Sequence, residues 1–190
     1  MAQALVKLEN IDQLLRYGEL SPEQIAALFI KIRDTEDLRV TQLSLDEVDI
    51  SQVPQDVLTQ VVLTGAISSL KIWSAISPHQ LVAIFTRLAN QPGDSILKKL
   101  EFGRVDLTSV SPVILVGGIQ RLEEMGFFWS DMRAAQVNAI LSMVSEGRQG
   151  RLLNIVIYSP TIIGGDISPV LLQSAKVVGG QLLDIDISGF

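Results

Sequence analysis

Cysteine is absent from all 190 residues, which removes disulfides and thiolate metal sites together. Histidine occurs once, as His79, so any nucleophile–base pair has to be built from lysine or a carboxylate, and no such spacing stands out. Charge is sparse as well: Asp, Glu, Lys and Arg make up 19% of the chain and leave a net charge of −6. Nothing concentrates Lys and Arg against phosphate, which argues against nucleic acid and against anionic membrane surfaces. Long apolar runs are missing too. The segment Leu152-Leu153-Asn154-Ile155-Val156-Ile157 falls far short of the roughly 20 residues that span a bilayer. The N-terminal stretch Met1-Ala-Gln-Ala-Leu-Val-Lys7 has neither the cationic nor the apolar region of a secretory leader. The expectation is a soluble cytoplasmic protein with no cofactor, no metal and no membrane insertion.

What the chain does have is apolar residues, 47% of the total, enough for a substantial core in a single domain. They recur. Leu20-Ser-Pro-Glu-Gln-Ile-Ala-Ala-Leu-Phe29, Ile76-Ser-Pro-His-Gln-Leu-Val-Ala-Ile-Phe85 and Met132-Arg-Ala-Ala-Gln-Val-Asn-Ala-Ile-Leu141 begin 56 residues apart each time (20, 76, 132). A second series lies between them: Val48-Asp-Ile-Ser-Gln-Val-Pro54, Val105-Asp-Leu-Thr-Ser-Val-Ser111 and a looser copy around Ile167-Ser-Pro169. Its helix-side apolar residue falls at Val57, Ile114 and Leu171. Two related half-repeats of roughly 28 residues therefore alternate.

Each half-repeat carries a strand pattern and a helix pattern. The period-2 pairs Leu43/Leu45, Leu70/Ile72, Leu100/Phe102, Met125/Phe127 and Ile155/Ile157 suit short strands with one buried face. Leu182, Ile185 and Ile187 open a further copy. The sets Ile25/Leu28/Phe29/Ile32, Leu81/Ile84/Phe85/Leu88 and Val137/Ile140/Leu141/Val144 follow i, i+3, i+4, i+7 and define one helix face apiece. Ser21 and Ser77 are placed as N-caps, with Pro22 and Pro78 at the first helical position and Gln24 and Gln80 closing a capping box. Gly65, Gly117-Gly118 and Gly179-Gly180 read as helix-ending glycines; their recurrence at one phase, without Gly-Lys-Ser/Thr, argues against phosphate loops.

These residues resemble the leucine-rich-repeat family, in particular its ribonuclease-inhibitor-like subclass, which includes the C-terminal domains of NOD-like receptors. The likeness covers residues 20–190. It implies an α/β solenoid, a horseshoe with a parallel concave sheet and convex helices. The position that is Asn or Cys in that family is Val48, Val105, Ser130 and Pro160 here. Residues 1–19, with Leu5, Leu8, Ile11, Leu14 and Leu15, suit an amphipathic N-terminal capping helix. The chain stops where the next Ser-Pro helix is due, so a larger chain is expected.

In such an architecture the residues alternating with the core positions point outward on the concave side: Gln42, Ser44, Asp46; Ser69, Lys71, Trp73; Lys99, Glu101, Gly103; Glu124, Gly126, Phe128; Asn154, Val156, Tyr158; Asp184, Asp186, Ser188. Trp73, Phe128 and Tyr158 become exposed aromatics on one surface, with Trp129 at the strand end, and Lys71, Glu101 and Asp186 flank them. Aromatic anchors dominate protein interfaces, so a protein or peptide partner is expected there. The bland reading is rings lying over ordinary surface. His79 falls on the polar side of its helix, and Asp46-Glu47 and Asp184/Asp186 read as solvated carboxylates rather than cation ligands. Two other readings remain open: a regulator of an enzyme, as in Ran-type GTPase-activating proteins, for which Arg104 just after a strand is the sole basic candidate, and an architectural segment that packs neighbouring domains on its helices.

Overall fold

Six helices and eight strands alternate along the residues that the structure, a computed structural model, describes: 20–34, 40–46, 48–63, 67–92, 97–179 and 183–186. In chain order they are α1 (Pro22–Asp34), β1 (Val40–Asp46), α2 (Gln55–Leu63), β2 (Ile67–Trp73), α3 (Pro78–Asn90), β3 (Lys99–Gly103), α4 (Pro112–Ile119), β4 (Glu124–Phe128), β5 (Asp131–Arg133), α5 (Ala134–Ser145), β6 (Asn154–Tyr158), β7 (Thr161–Ile163), α6 (Pro169–Gly179) and β8 (Leu183–Asp186). The expected capping helix over residues 1–19 lies outside the described residues, as do Gly65, Gly180 and Ser188.

The class is α/β. Six strands form one parallel sheet in the order β1-β2-β3-β4-β6-β8, so consecutive main strands are neighbours and each is joined to the next through a helix. The short β5 and β7 pair in parallel beside the ends of β4 and β6, and a bridge from Asp106 to Asp131 carries that ladder one unit further back. Among the described residues no helix is long and apolar enough to cross a membrane.

The helix and strand patterns converge on a single core. Leu43 and Leu45 stand beside Leu70 and Ile72, and Leu100/Phe102, Met125/Phe127 and Ile155/Ile157 continue the same two columns, all buried. Ile25, Phe29 and Ile32 of α1, the four apolar residues of α3 and the four of α5 pack onto those columns. Phe85 meets Phe102 at 5.7 Å between ring centroids, and Phe102 stacks on Phe127 at 6.5 Å. Burying side chains of this size contributes about 1.5–3 kcal/mol each relative to exposure. No single unit could bury its helix face without the next.

Two details depart from the sequence expectation. Gly117 and Gly118 lie inside α4 rather than past its end. A Cβ at Gly118 would stand 2.9 Å from Phe85 Cδ1, and one at Gly117 3.1 Å from Ala89 Cβ, so these glycines let α4 approach α3 closely. In β8 the register is shifted by two residues: Leu183 and Ile185, rather than Ile185 and Ile187, stand beside Ile155 and Ile157. An even shift preserves the faces, so Asp184 and Asp186 still point outward, with Asp186 now beside Tyr158 instead of Val156. The adjacent Leu182 and Leu183 make both registers compatible with the pattern.

The capping boxes form as expected. Ser77 Oγ accepts from Gln80 N at 3.3 Å while Gln80 Oε1 accepts from Ser77 N at 2.8 Å, and Ser21 with Gln24 repeats the pair. What spacing did not reveal is the reach of the glutamine's other end. Gln80 is buried, and its Nε2 donates to the carbonyls of Ile50 and Val53, both at 2.7 Å. Gln136 does the same to Leu107 and Val110, both at 2.6 Å, while its Oε1 accepts from Arg133 N. Each amide thus ties a long helix to the turn that precedes the short helix one unit earlier. Gln24 is exposed and, among the described residues, closes the local box alone.

Replacing Gln136 with leucine keeps the volume and strands the buried Val110 carbonyl, at about 1–3 kcal/mol for a group left unsatisfied, while the Leu107 carbonyl keeps its bond from Val110 N. Gln136→Leu is expected to lower unfolding stability by roughly 2–3 kcal/mol in urea titrations, whereas Gln24→Leu costs about 1 kcal/mol or less. Equal effects at the two positions would refute the bridging role of Gln136.

Candidate functional site

The sheet has a second face, opposite the helices, and strand register sorts its side chains into rows. Gln42, Ser69, Lys99, Glu124 and Asn154 are mutual neighbours, then Ser44, Lys71, Glu101, Gly126, Val156 and Asp184. The row nearest the strand ends starts with Asp46 and Trp73 on β1 and β2 and finishes with Gly103, Phe128, Tyr158 and Asp186 on β3 to β8. All six sequence-predicted binding residues therefore lie on this one face: Trp73, Phe128, Tyr158 and Asp186 in the last row, Lys71 and Glu101 in the one before it.

The aromatic residues form one connected group. Trp73 and Phe128 are 5.5 Å apart between ring centroids, although β3 separates their strands. The gap closes because β3 presents Gly103 there. A Cβ on Gly103 would fall 2.5 Å from Trp73 Cδ2, so the indole lies flat over that glycine. Phe128 leans back over Gly126 in the same way, where a Cβ would come within 2.6 Å of its Cε2. Tyr158 lies 6.5 Å from Phe128.

Trp129 completes the group, and alternation along β4 would not have placed it there. Its φ is +48°, in the left-handed region, as are Arg104 at +59° and Ser159 at +46°, each immediately after a main strand. Such a conformation costs a non-glycine residue on the order of 1 kcal/mol. Here the continuing ladder holds it: Arg104 N donates to Phe128 O, Trp129 N to Tyr158 O and Ser159 N to Asp186 O, all at 2.8–2.9 Å. The turn swings the Trp129 ring onto the outward face, where it meets Trp73 at 5.6 Å and Tyr158 at 5.5 Å, edge to face in both pairs. Trp129 is 46% exposed and Tyr158 40% exposed, while Trp73 and Phe128 are half-buried beneath them.

Charged residues frame the rings. Lys71 Nζ sits 4.5 Å above the Trp73 ring and 3.8 Å from Asp46 Oδ2, and Ser44 Oγ also donates to that carboxylate. Lys99 bridges Glu101 and Glu124 at 3.0 Å each. Its ammonium is held above the ordinary lysine value, first by the hydrogen bond it donates to Glu101 and then by the one it donates to Glu124, against a smaller desolvation effect. Being partly solvated, these pairs order the side chains more than they stabilise the fold.

Elsewhere the surface offers less. Arg104 is exposed just past β3. His79 is exposed too, on the wall of a groove of about 520 Å³ between α2 and α3, with Asp56 and Arg87 nearby. A furrow of about 410 Å³ recurs between α4 and α5, one 56-residue period on, which marks both as products of helix spacing. Among the described residues no group of three or more Asp, Glu or His could hold a metal ion.

Gly103→Ala is expected to expel the Trp73 indole from its seat and abolish the near-UV circular dichroism of the coupled Trp73–Trp129 pair. The far-UV spectrum should persist, with a stability loss of about 1–3 kcal/mol from overpacking. An unchanged near-UV spectrum would show that the indole does not rest on that glycine.

No protein-family profile, no curated protein and no solved structure matches this chain, so the reading of the site rests on its own geometry.

Proposed function

We propose that the chain is a leucine-rich-repeat solenoid of the ribonuclease-inhibitor-like kind, and that it binds a protein or peptide partner on the concave, outward face of its sheet rather than catalysing a reaction. Support for the architecture comes from strands that neighbour one another in chain order, all parallel, with longer helices starting at 22, 78 and 134 and shorter ones between them. The observation that carries the function is the aromatic group Trp73, Phe128, Trp129 and Tyr158. Four large rings gathered on a mostly polar face, two of them substantially exposed, supply rigid apolar contact area at low entropic cost. The glycine seats under Trp73 and Phe128 and the ladder behind Trp129 fix that surface before any partner arrives, which lowers the ordering cost of association.

The test is selection of a random displayed library of dodecapeptides against the immobilised chain. The wild type is expected to enrich a convergent set. The double variant Trp129→Ala/Tyr158→Ala removes only exposed rings, so its melting temperature should hold while affinity for those peptides falls at least about 30-fold, the effect of losing one hot spot of roughly 2 kcal/mol. Equal binding by the variant would remove this face from consideration.

A further inference from the structure

We propose that the partner segment of this site carries a carboxylate beside its apolar residue: an aspartate or glutamate side chain pairs with Arg104 while a large apolar side chain lies on Trp129 and Tyr158. The inference rests on the peptide-binding reading above and adds the chemistry of the ligand.

Arg104 and Trp129 hold the same position in successive units. Gly103 pairs with Phe128, each ends its strand, and the residue that follows is left-handed in both, with φ of +59° and +48°. Their amides are held alike, since Arg104 N donates to Phe128 O and Trp129 N to Tyr158 O. With the peptide planar, φ alone sets the direction in which Cβ leaves the preceding peptide, so Arg104 departs from the sheet as Trp129 does, toward the outward face. The Trp129 ring shows where that direction leads, for it meets both Trp73 and Tyr158. Arg104 thus stands about one strand spacing, roughly 5 Å, from Trp129, directly after the glycine on which the Trp73 indole rests.

Its charge is the one that the chain leaves unanswered here. On the outward face of β1 to β4, Lys71 has Asp46, and Lys99 has Glu101 and Glu124. Asp106, two residues on from Arg104, turns its carboxylate onto Thr108 N and Oγ1. The Arg104 side chain is exposed and makes no hydrogen bond or ion pair among the described residues. The turn itself does not call for a cation, because Ser159 fills the same position two units later.

Other segments fit less well. A basic one would meet Arg104 with like charge. A wholly apolar one would cover the rings while taking water from the guanidinium without replacing it. A carboxylate replaces that water with two parallel, charge-assisted hydrogen bonds. The β8 residues Asp184 and Asp186 lie three strand spacings from Arg104, about 14 Å, which exceeds the screening length of about 8 Å at physiological salt, so they do not turn such a segment away.

The peptides enriched in the selection above decide the matter. Tyr158 is two strand spacings from Arg104, about 10 Å, which an extended peptide covers in about three residues. The enriched sequences are therefore expected to share an aspartate or glutamate about three positions from a large apolar residue. Replacing that acid with its amide, or making Arg104→Gln in the full chain, should each weaken binding about tenfold, while the melting temperature of the variant holds. Combining the two changes should cost little more than either alone, because both remove the same pair. Enriched peptides without an acidic residue, equal binding by Arg104→Gln, or losses that multiply on combination would overturn the inference and leave the peptide-binding reading standing. Failure to enrich any peptide above the Trp129→Ala/Tyr158→Ala control would overturn both.

Discussion

Every unit of this chain depends on lateral stacking. A strand of four to seven residues and one helix cannot pair their own backbone edges or cover their own apolar stripe. Parallel pairing with the unit before and the unit after does both, and it imposes one register from Leu43/Leu45 through Ile155/Ile157. That register fixes the core on one side. By the same period of two, it fixes the rows of polar and aromatic residues on the other. The outward surface is therefore a by-product of the constraint that holds the molecule together.

Stacking leaves a residual difficulty at the turns after the strands, where backbone carbonyls are buried with no strand to receive them. In this protein Gln80 and Gln136 resolve it. One end of each amide closes the capping box of a long helix, and the other end takes two carbonyls of the preceding turn. Val48 and Val105 sit buried near those turns. Two buried glutamines of the long helices hold these turns, which also couples adjacent units through a polar contact that hydrophobic packing alone would not specify.

Periodicity made most of the architecture legible before any coordinates. Leu81, Ile84, Phe85 and Leu88 are all buried, as a 3.6-residue stripe demands, and Lys71, Trp73, Glu101, Phe128, Tyr158 and Asp186 all share the outward face, as a period of two demands. The features that escaped were those set by contacts distant in sequence. The buried grip of Gln80 spans 27 to 30 residues, and nothing in Ser-Pro-x-Gln separates it from the solvent-exposed Gln24. Gly117 and Gly118 looked like terminators because local propensity cannot register the Phe85 and Ala89 side chains they admit. The β8 register slipped by two because the Leu182-Leu183 doublet satisfies either alignment, and only pairing with Ile155 chooses between them.

Trp129 shows how a surface feature can escape the strand pattern. Strand alternation would direct it away from Phe128, yet a left-handed turn places the two rings 6.4 Å apart on the same side. Neither core packing nor helix capping needs a tryptophan there. The ladder position is filled by arginine in one unit and serine in another, so the turn itself accepts any side chain at a similar backbone cost. A large ring held in an uncommon conformation, almost half exposed and with its neighbours seated on glycines, adds little that the fold requires. Its contribution is to widen the aromatic row, because it joins Trp73 and Phe128 to Tyr158 across the strand ends on the outward face.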